Sequence, residues 1–480
     1  MDRRDFLPII PVVTLIPLLT ARVPMAWSHA REVAGYFQAR GFLGYGLDSF
    51  FYLTPLESYS ALHLHSILSA PLVALGYFEG GRLISLLTAL VAVALLAALA
   101  RERNAPQVAV IAPLVLWFHP LFARLAYAWM PETLSIALTS GAVYTTLRYL
   151  NSKRDQWYLI SLACIIAGIT NHMWEATILL PVASLLAIHG EYVRAMVSSM
   201  VTVGTVSAVW YLTGLQPTGA SSLTRHGTHA VGIQFFSSSE FWLAHLSPHP
   251  LYLAVTLTLP ASILAGAYWT WRAYQTRLQN VTAVLLSAWF GSALAIPLFL
   301  ARGYSIHPYY AWAQLIPLAL SGGFATRYTF THFSVDSERA TTVASSSLVV
   351  GIVVYLLVFE VGVLAGMGVT GVEKATVPAV DDKLEIPEKE IHTAARDIRS
   401  SDATTADDVR FVGDWGQNVE GASYQDTRGL TRLLIYSGLP VADRDLNDDR
   451  QGGPKFGSGE DCHIKVVKSE LEITVRDCSD

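Results

Sequence analysis

The chain has 480 residues, 52% of them hydrophobic and only 15% charged, with a mean hydropathy of +0.39. Such a composition excludes a large soluble enzyme and describes a polytopic membrane protein. The formal charge of −5 is unevenly spread: residues 372–480 hold 23 acids against 14 bases, while the rest nets +4. An acidic terminal region speaks against nucleic-acid binding and would suit a high-salt environment.

A helix needs about 20 apolar residues to cross a bilayer. Stretches of that kind fall near 7–26, 82–100, 106–122, 132–149, 156–170, 173–189, 195–213, 250–271, 281–301, 308–325 and 342–367, about eleven in all. The pair around Asn171 could also form one re-entrant unit. No small-residue cleavage site follows the first run, so it is expected to stay as an anchor. The bases Arg3, Arg4, Arg101, Arg103, Lys153, Arg154, Arg194, Arg272, Arg277, Arg327 and Arg339 fall in alternate loops. The positive-inside rule makes those loops cytoplasmic, with the N-terminus inside and the terminal domain outside.

On the outer side, residues 63–78 are too short, and too interrupted by Pro71, for a span and read as an interfacial helix. Residues 214–249, rich in Ser, Gly, Thr and His with interleaved aromatics, read as a mobile lid. Beyond the membrane body (1–370), residues 371–480 read as a small extracytoplasmic α/β domain. A helix is expected over 381–401 and a strand over 409–412, and 431–437 is helical or extended. Alternation over 463–467 and 471–476 predicts a hairpin. With its tip at 469–471, Cys462 and Cys478 stand directly opposed and within disulfide reach. Such a bond would stabilise the domain by roughly 3 kcal/mol. Cys164 lies in an apolar run as a small core residue.

Four polar clusters sit at the outer ends of the spans. The first, WSHAREVAGYFQARG at 27–41, places Glu32, Tyr36 and Arg40 on one helical face. An ionised acid at the mouth of a span is costly unless used or paired, although an interfacial helix in water would carry these charges equally well. The second, HPLFARLAYAWMPE at 119–132, contributes His119, Arg124 and Glu132. Glu132 at a helix N-terminus also has a plain dipole role. The third, NHMWE at 171–175, contributes His172 and Glu175. The fourth, RGYSIHPYY at 302–310, contributes Arg302, His307, Tyr309 and Tyr310, and aromatic belts alone would account for the tyrosines. Acids, arginines and aromatics gathered on one side suit a substrate with a phosphate leaving group, a sugar and an apolar tail. Arginine holds phosphate in a planar fork, and a carboxylate can take the proton from an attacking hydroxyl. No P-loop, GxSxG, HExxH or GxGxxG signature competes.

Over about residues 1–330 the chain resembles the integral-membrane glycosyltransferases with a lipid-phosphate sugar donor, the protein O-mannosyltransferase and aminoarabinose transferase family. That family follows its first span with Asp-Glu-x-x-Tyr and a later Arg. Here Glu32 and Tyr36 match with one inserted residue, and Arg40 follows. The interfacial segment 63–81 leading to Arg82, the run HPLFARLAYAWMPETL and the run HPYYAWAQLIPLAL resemble family segments in the same order. The chain departs from the pattern where Arg31 replaces the usual Asp, so the base is Glu32 or, further along the loop, Asp48.

The resemblance implies the GT-C architecture, mainly α-helical. It also implies transfer of a monosaccharide from polyprenyl or dolichyl phosphate to a glycan, lipid or protein acceptor outside the membrane. In that scheme Glu132 positions the donor sugar or a metal. Arg82, Arg124 and Arg302 hold phosphate, and Tyr36, His119, His172, Glu175, His307, Tyr309 and Tyr310 contact substrate. Whether a divalent metal ion takes part is left open. The competing reading is a transporter or lipid translocator, which His172 and Glu175 would suit best. Transporters, however, place such groups near the midplane of repeated halves, and no repeat is visible here.

Overall fold

The computed structural model describes residues 35, 38–39, 42–43, 64–77, 80–103, 105–117, 119–127, 129–214, 250–299, 308–332, 388–402, 409–413, 464–469 and 472–477. The body is a helical bundle, and we number its helices in chain order. They are α1 Leu64–Ala74, α2 Gly80–Glu102, α3 Pro106–Trp117, α4 Pro120–Tyr127, α5 Glu132–Ser152 and α6 Asp155–Asn171. After the 3₁₀ turn Met173–Ile178 come α7 Leu179–Ile188, α8 Tyr192–Gly214, α9 Pro250–Gln275 and α10 Val281–Phe299. A second 3₁₀ turn, Pro308–Ala311, leads into α11 Trp312–His332. The expected spans near 7–26 and 342–367, and the expected lid, lie outside the described residues. The other nine expected spans coincide with helices. Among the described residues, three helices are long and apolar enough to cross a membrane: Gly80–Glu102, Tyr192–Tyr211 and Val281–Leu298. The protein is multi-pass.

One expected span is broken. Residues 106–122 were read as a single helix, but α3 stops at Trp117, the chain bends at His119, and α4 restarts at Pro120. Proline has no N–H to continue the helix and disfavours helical geometry in the residue before it, yet suits the first position of a new one. The expected interfacial helix at 63–78 is present as α1, which keeps Pro71 inside it and buries His65, Ser66, Ser69, Ala70 and Val73.

Helix α5 is central: sixteen of its 21 residues are buried, and α2 and α6 flank it. It is also full of hydroxyls, which hydrocarbon tolerates only when they are bonded. Ser140 donates to the Ile136 carbonyl at 2.8 Å, Thr145 to Gly141 at 2.7 Å and Thr146 to Ala142 at 2.8 Å. Others cross between helices, with Thr88 to Thr133 at 2.9 Å and Thr146 to Ser161 at 2.8 Å. Association in lipid draws on close packing and such bonds, each about 0.6 kcal/mol on average, since lipid tails are as apolar as leucine. Outward, α8 and α9 expose Met196, Met200, Val203, Leu257 and Leu264, an apolar surface fit for lipid.

At one end of the bundle the basic loops meet. Glu102 accepts from Arg148 at 2.7 Å, and Arg103 donates to Thr282 at 3.1 Å. Lys153 caps α5 in a left-handed conformation, φ 54°, and reaches Glu191 at 2.6 Å. Arg194 bonds both Glu191, at 2.7 Å, and Asp155, at 2.9 Å, while lying over the Tyr149 ring.

In the C-terminal region α12 spans Glu388–Ser400, within the expected helix, whose residues 381–387 lie outside the described residues. Strands β1 Val409–Gly413, β2 Ile464–Ser469 and β3 Glu472–Asp477 form a sheet in the order 1-2-3. Strands β1 and β2 are parallel, β2 and β3 antiparallel, and α12 packs on β3. The hairpin is in place but its register differs from the expected one. Ser469 pairs with Glu472 rather than Leu471, leaving a two-residue loop. The direct opposition of Cys462 and Cys478 required the other register, because a one-residue slip moves side chains to opposite faces. Both cysteines, and residues 431–437, lie outside the described residues.

The Lys153 hydrogen bond, followed by Tyr149 and Arg194, holds the Glu191 carboxyl well below its ordinary 4.5, at about 2. A depressed carboxylate contributes stability that is present above its unfolded-state pKa and lost as pH falls through the folded one. Glu191→Gln should therefore lower the melting temperature at pH 7. The deficit should close between pH 4.5 and about 2. Thermal unfolding in detergent across that range checks this, and a deficit unchanged at low pH would assign it to something other than the charge.

Candidate active site at the opposite end of the bundle

The end opposite the basic loops collects the polar side chains that the bundle buries. It is built around the start of α5. Pro131 precedes Glu132, the first residue of that helix, and Glu132 is fully buried. Ser135 and Thr139 continue the same helical face at the following turns. From α2, Ser85 grips Met130 on both sides: its hydroxyl donates to the Met130 carbonyl at 3.2 Å and lies 3.3 Å from the Met130 N–H. Arg82, buried in the first turn of α2, lies three residues before Ser85. From the end of α6, Asn171 donates to the Pro131 carbonyl at 3.0 Å and to Ser135 at 2.9 Å.

Glu175 sits in the 3₁₀ turn after α6 and is only 2% exposed. Its polar neighbours are Ser135, Asn171, Thr139 and Glu132. One carboxylate oxygen backs onto Gly168, while Oε1 makes no hydrogen bond among the described residues. A buried acid held this way fits a functional reading better than a stabilising one.

Other segments complete this end. The His172 ring meets Tyr310 edge-on at 6.5 Å and Trp312 at 6.0 Å, bringing the third and fourth clusters together. His119, at the break between α3 and α4, shares a 3.1 Å hydrogen bond with Thr258 of α9. In the first loop, Gly35, Gln38 and Ala39 are helical and buried. Ser66 of α1 donates to Gln38 at 3.0 Å. Gly35 lies so close to Trp129 that a Cβ would come within 2.6 Å of the indole nitrogen. Gly81 meets the same ring still more closely. Trp129 is thus wedged between the first loop and the start of α2, three residues before Glu132.

The fold therefore gathers Arg82, His119, Glu132, His172, Glu175 and Tyr310 at one end. Tyr309 lies in the 3₁₀ turn beside Tyr310, and Arg124 lies in α4. Glu32, Tyr36, Arg40, Asp48, Arg302 and His307 lie outside the described residues. Sequence reading passed over His65, Ser85, Trp129 and Asn171 as individual site residues. A signal existed for two of them: a histidine at 65 inside an otherwise apolar helix, and an asparagine closing the apolar run of α6. Among the described residues no group of three or more His, Cys, Asp or Glu side chains gathers to hold a metal ion.

Residues 73–213 match the family model described as dolichyl-phosphate-mannose-protein mannosyltransferase. That window runs from α1 into α8 and contains Arg82, His119, Arg124, Glu132, His172 and Glu175. Over more of its length the chain superposes on the crystal structure of ArnT from Cupriavidus metallidurans in the apo state. The TM-score is 0.51 at 15% identity, covering 85% of this chain and 80% of that one. The chain shares the fold of that protein. No curated protein matches the chain in sequence. In this bundle the buried polar end lies where several helices begin, away from the basic loops.

Gly168 gives a test of how tightly that end is built. Gly→Ala inside a helix ordinarily stabilises by about 0.5–1 kcal/mol. At Gly168 the added methyl would run into the Glu175 carboxylate, whereas at Gly204 in α8 nothing lies within 4 Å. Overpacking of this kind costs about 1–3 kcal/mol. Gly168→Ala should lower the melting temperature in detergent and Gly204→Ala should hold or raise it; equal melts would remove the close approach of Glu175.

Proposed function

We propose that the protein transfers a monosaccharide from a polyprenyl- or dolichyl-phosphate donor to a hydroxyl of a glycan, lipid or protein acceptor on the outer face of the membrane. The observation that carries this reading is the meeting, at one end of the bundle, of the first loop at Gly35 and the start of α2 at Gly81 on the Trp129 ring, next in sequence to the buried Arg82 and three residues before the buried Glu132. The basic loops at the other end support a cytoplasmic placement for that end, and hence an outer placement for the site. The family model spanning residues 73–213 supports the donor class.

In this reading the lipid tail lies along the apolar helix faces and the phosphate rests on Arg82 and Arg302. Arginine stays charged and presents paired donors to two phosphate oxygens. Glu132 orients the donor sugar. Glu32, or Asp48 in its place, takes the proton of the acceptor hydroxyl as its oxygen attacks the anomeric carbon. The bond from that carbon to the phosphate oxygen breaks, and lipid phosphate leaves.

Deleting the protein should make a lipid-linked sugar or a truncated glycan accumulate, as read by mass spectrometry of extracted lipids and glycans. A translocator would instead leave the glycans intact and strand its cargo on one side of the membrane. In the purified protein, Glu32→Gln should cut turnover by about 10²-fold or more. Near-normal turnover would pass the base role to Asp48, and full activity of both the Glu32→Gln and Asp48→Asn variants would end the assignment.

A further inference from the structure

Three buried side chains from three helices form one network, two of them, Ser85 and Asn171, bound directly to the two residues before Glu132 and His65 joining that pair, and none of them has a part in the chemistry proposed above. Asn171 is fully buried, and its amide faces two ways. Its Nδ2 donates to the Pro131 carbonyl and to Ser135, at 3.0 and 2.9 Å. Its Oδ1 accepts the backbone N–H of His65, at 3.1 Å. His65 is the second residue of α1, so this N–H belongs to the first turn, where no helical carbonyl is available to it. The His65 ring closes the circuit, with Nε2 2.9 Å from the Ser85 hydroxyl. Ser85 in turn grips Met130.

The arrangement has a mechanical consequence. Pro131 has no N–H, so the chain ahead of α5 is held through the carbonyls of Met130 and Pro131 and the Met130 N–H. Asn171 and Ser85 bind those groups, and through His65 they also bind the start of α1, where the first loop ends. One amide therefore ties the end of the loop that carries Glu32 and Asp48 to the turn that carries Glu132. A purely structural interhelical bond would not need to single out both helix starts.

We propose that Asn171, with His65 and Ser85, acts as a positioning clamp. It sets the placement of the Glu132 carboxylate against the first loop and acts on turnover through Glu132. This inference rests on the sugar-orienting role given to Glu132. Displacing a group from productive geometry by about 1 Å costs up to about 10²-fold in rate. Residues acting through one another give non-additive losses, whereas independent ones add.

The test uses the full-length protein in detergent with the polyprenyl-phosphate sugar extracted from the deletion strain as donor. Asn171→Ala and Ser85→Ala should each lower kcat by about tenfold or more, with donor KM within about twofold. Asn171→Asp keeps the acceptor for His65 and loses the donors to Pro131 and Ser135, so it should fall with Asn171→Ala. In a Glu132→Gln background, which retains a slow residual rate, the same substitutions should change that rate by less than about threefold. Equal fold losses in both backgrounds, or a raised KM with kcat held, would overturn the clamp. If Asn171→Ala yields no monodisperse protein, the Ser85→Ala cycle decides alone. An impaired Glu132→Gln beside a fully active Asn171→Ala refutes the clamp and leaves the proposed function standing. A fully active Glu132→Gln refutes the role of Glu132 and the clamp together.

Discussion

A buried polar group in a helical bundle surrounded by hydrocarbon has no water to fall back on, so its partners must come from the protein. That constraint organises this molecule. Along most of α5 it is met locally, by serine and threonine hydroxyls turned back onto carbonyls one turn earlier or across to α2 and α6. At the N-terminal end of α5 local solutions run out, because proline precedes Glu132 and the helix start has its own unmet groups. There the chain recruits side chains from distant segments, Ser85, Asn171 and His65. A set of weak sequence elements thereby becomes one site.

The two ends of the bundle answer the same constraint differently. At the basic end, charges sit close to water and neutralise one another in a short network of Lys153, Glu191, Arg194 and Asp155, with Tyr149 and Tyr158 beneath the Arg194 guanidinium. Exposed pairs of this kind add little stability singly, and they suit a boundary that fixes helix ends rather than a reaction. At the other end the acids are buried, Glu175 packs against a glycine, and the Trp129 indole packs against two more. Gly81 and Gly35 leave room for Trp129, and Gly168 leaves room for Glu175. Those close approaches let the first loop, α2, α5 and α6 crowd together at one end of the bundle.

The break between α3 and α4 belongs to the same design. An unbroken helix through residues 106–122 would carry its end straight on. Stopping at Trp117 and restarting at Pro120 instead turns the chain at His119, where the imidazole meets Thr258 of α9. The short α4 then returns the chain to Trp129 and Glu132.

Composition and periodicity by themselves determined that this is a multi-pass helical membrane protein, where most helices lie, and which loops carry the bases. They did so because a bilayer imposes a length and an apolarity that a sequence must display openly. The order of four segments, the first loop, residues 63–82, HPLFARLAYAWMPETL and HPYYAWAQLIPLAL, carried the glycosyltransferase resemblance, and the terminal helix and hairpin were legible from charge and alternation. Tertiary structure alone decided which polar residues meet. Asn171 and Ser85 look like ordinary residues of apolar helices until the fold sets them against Met130 and Pro131. Glu175 is legible as an acid at a span end, but its close approach to Gly168 is not. The hairpin register was likewise invisible, since alternation fixes which residues share a face but leaves the loop length to the turn. Spacing along the chain reports what one helix or strand can do alone, and contacts between helices far apart in sequence depend on packing that no local pattern encodes.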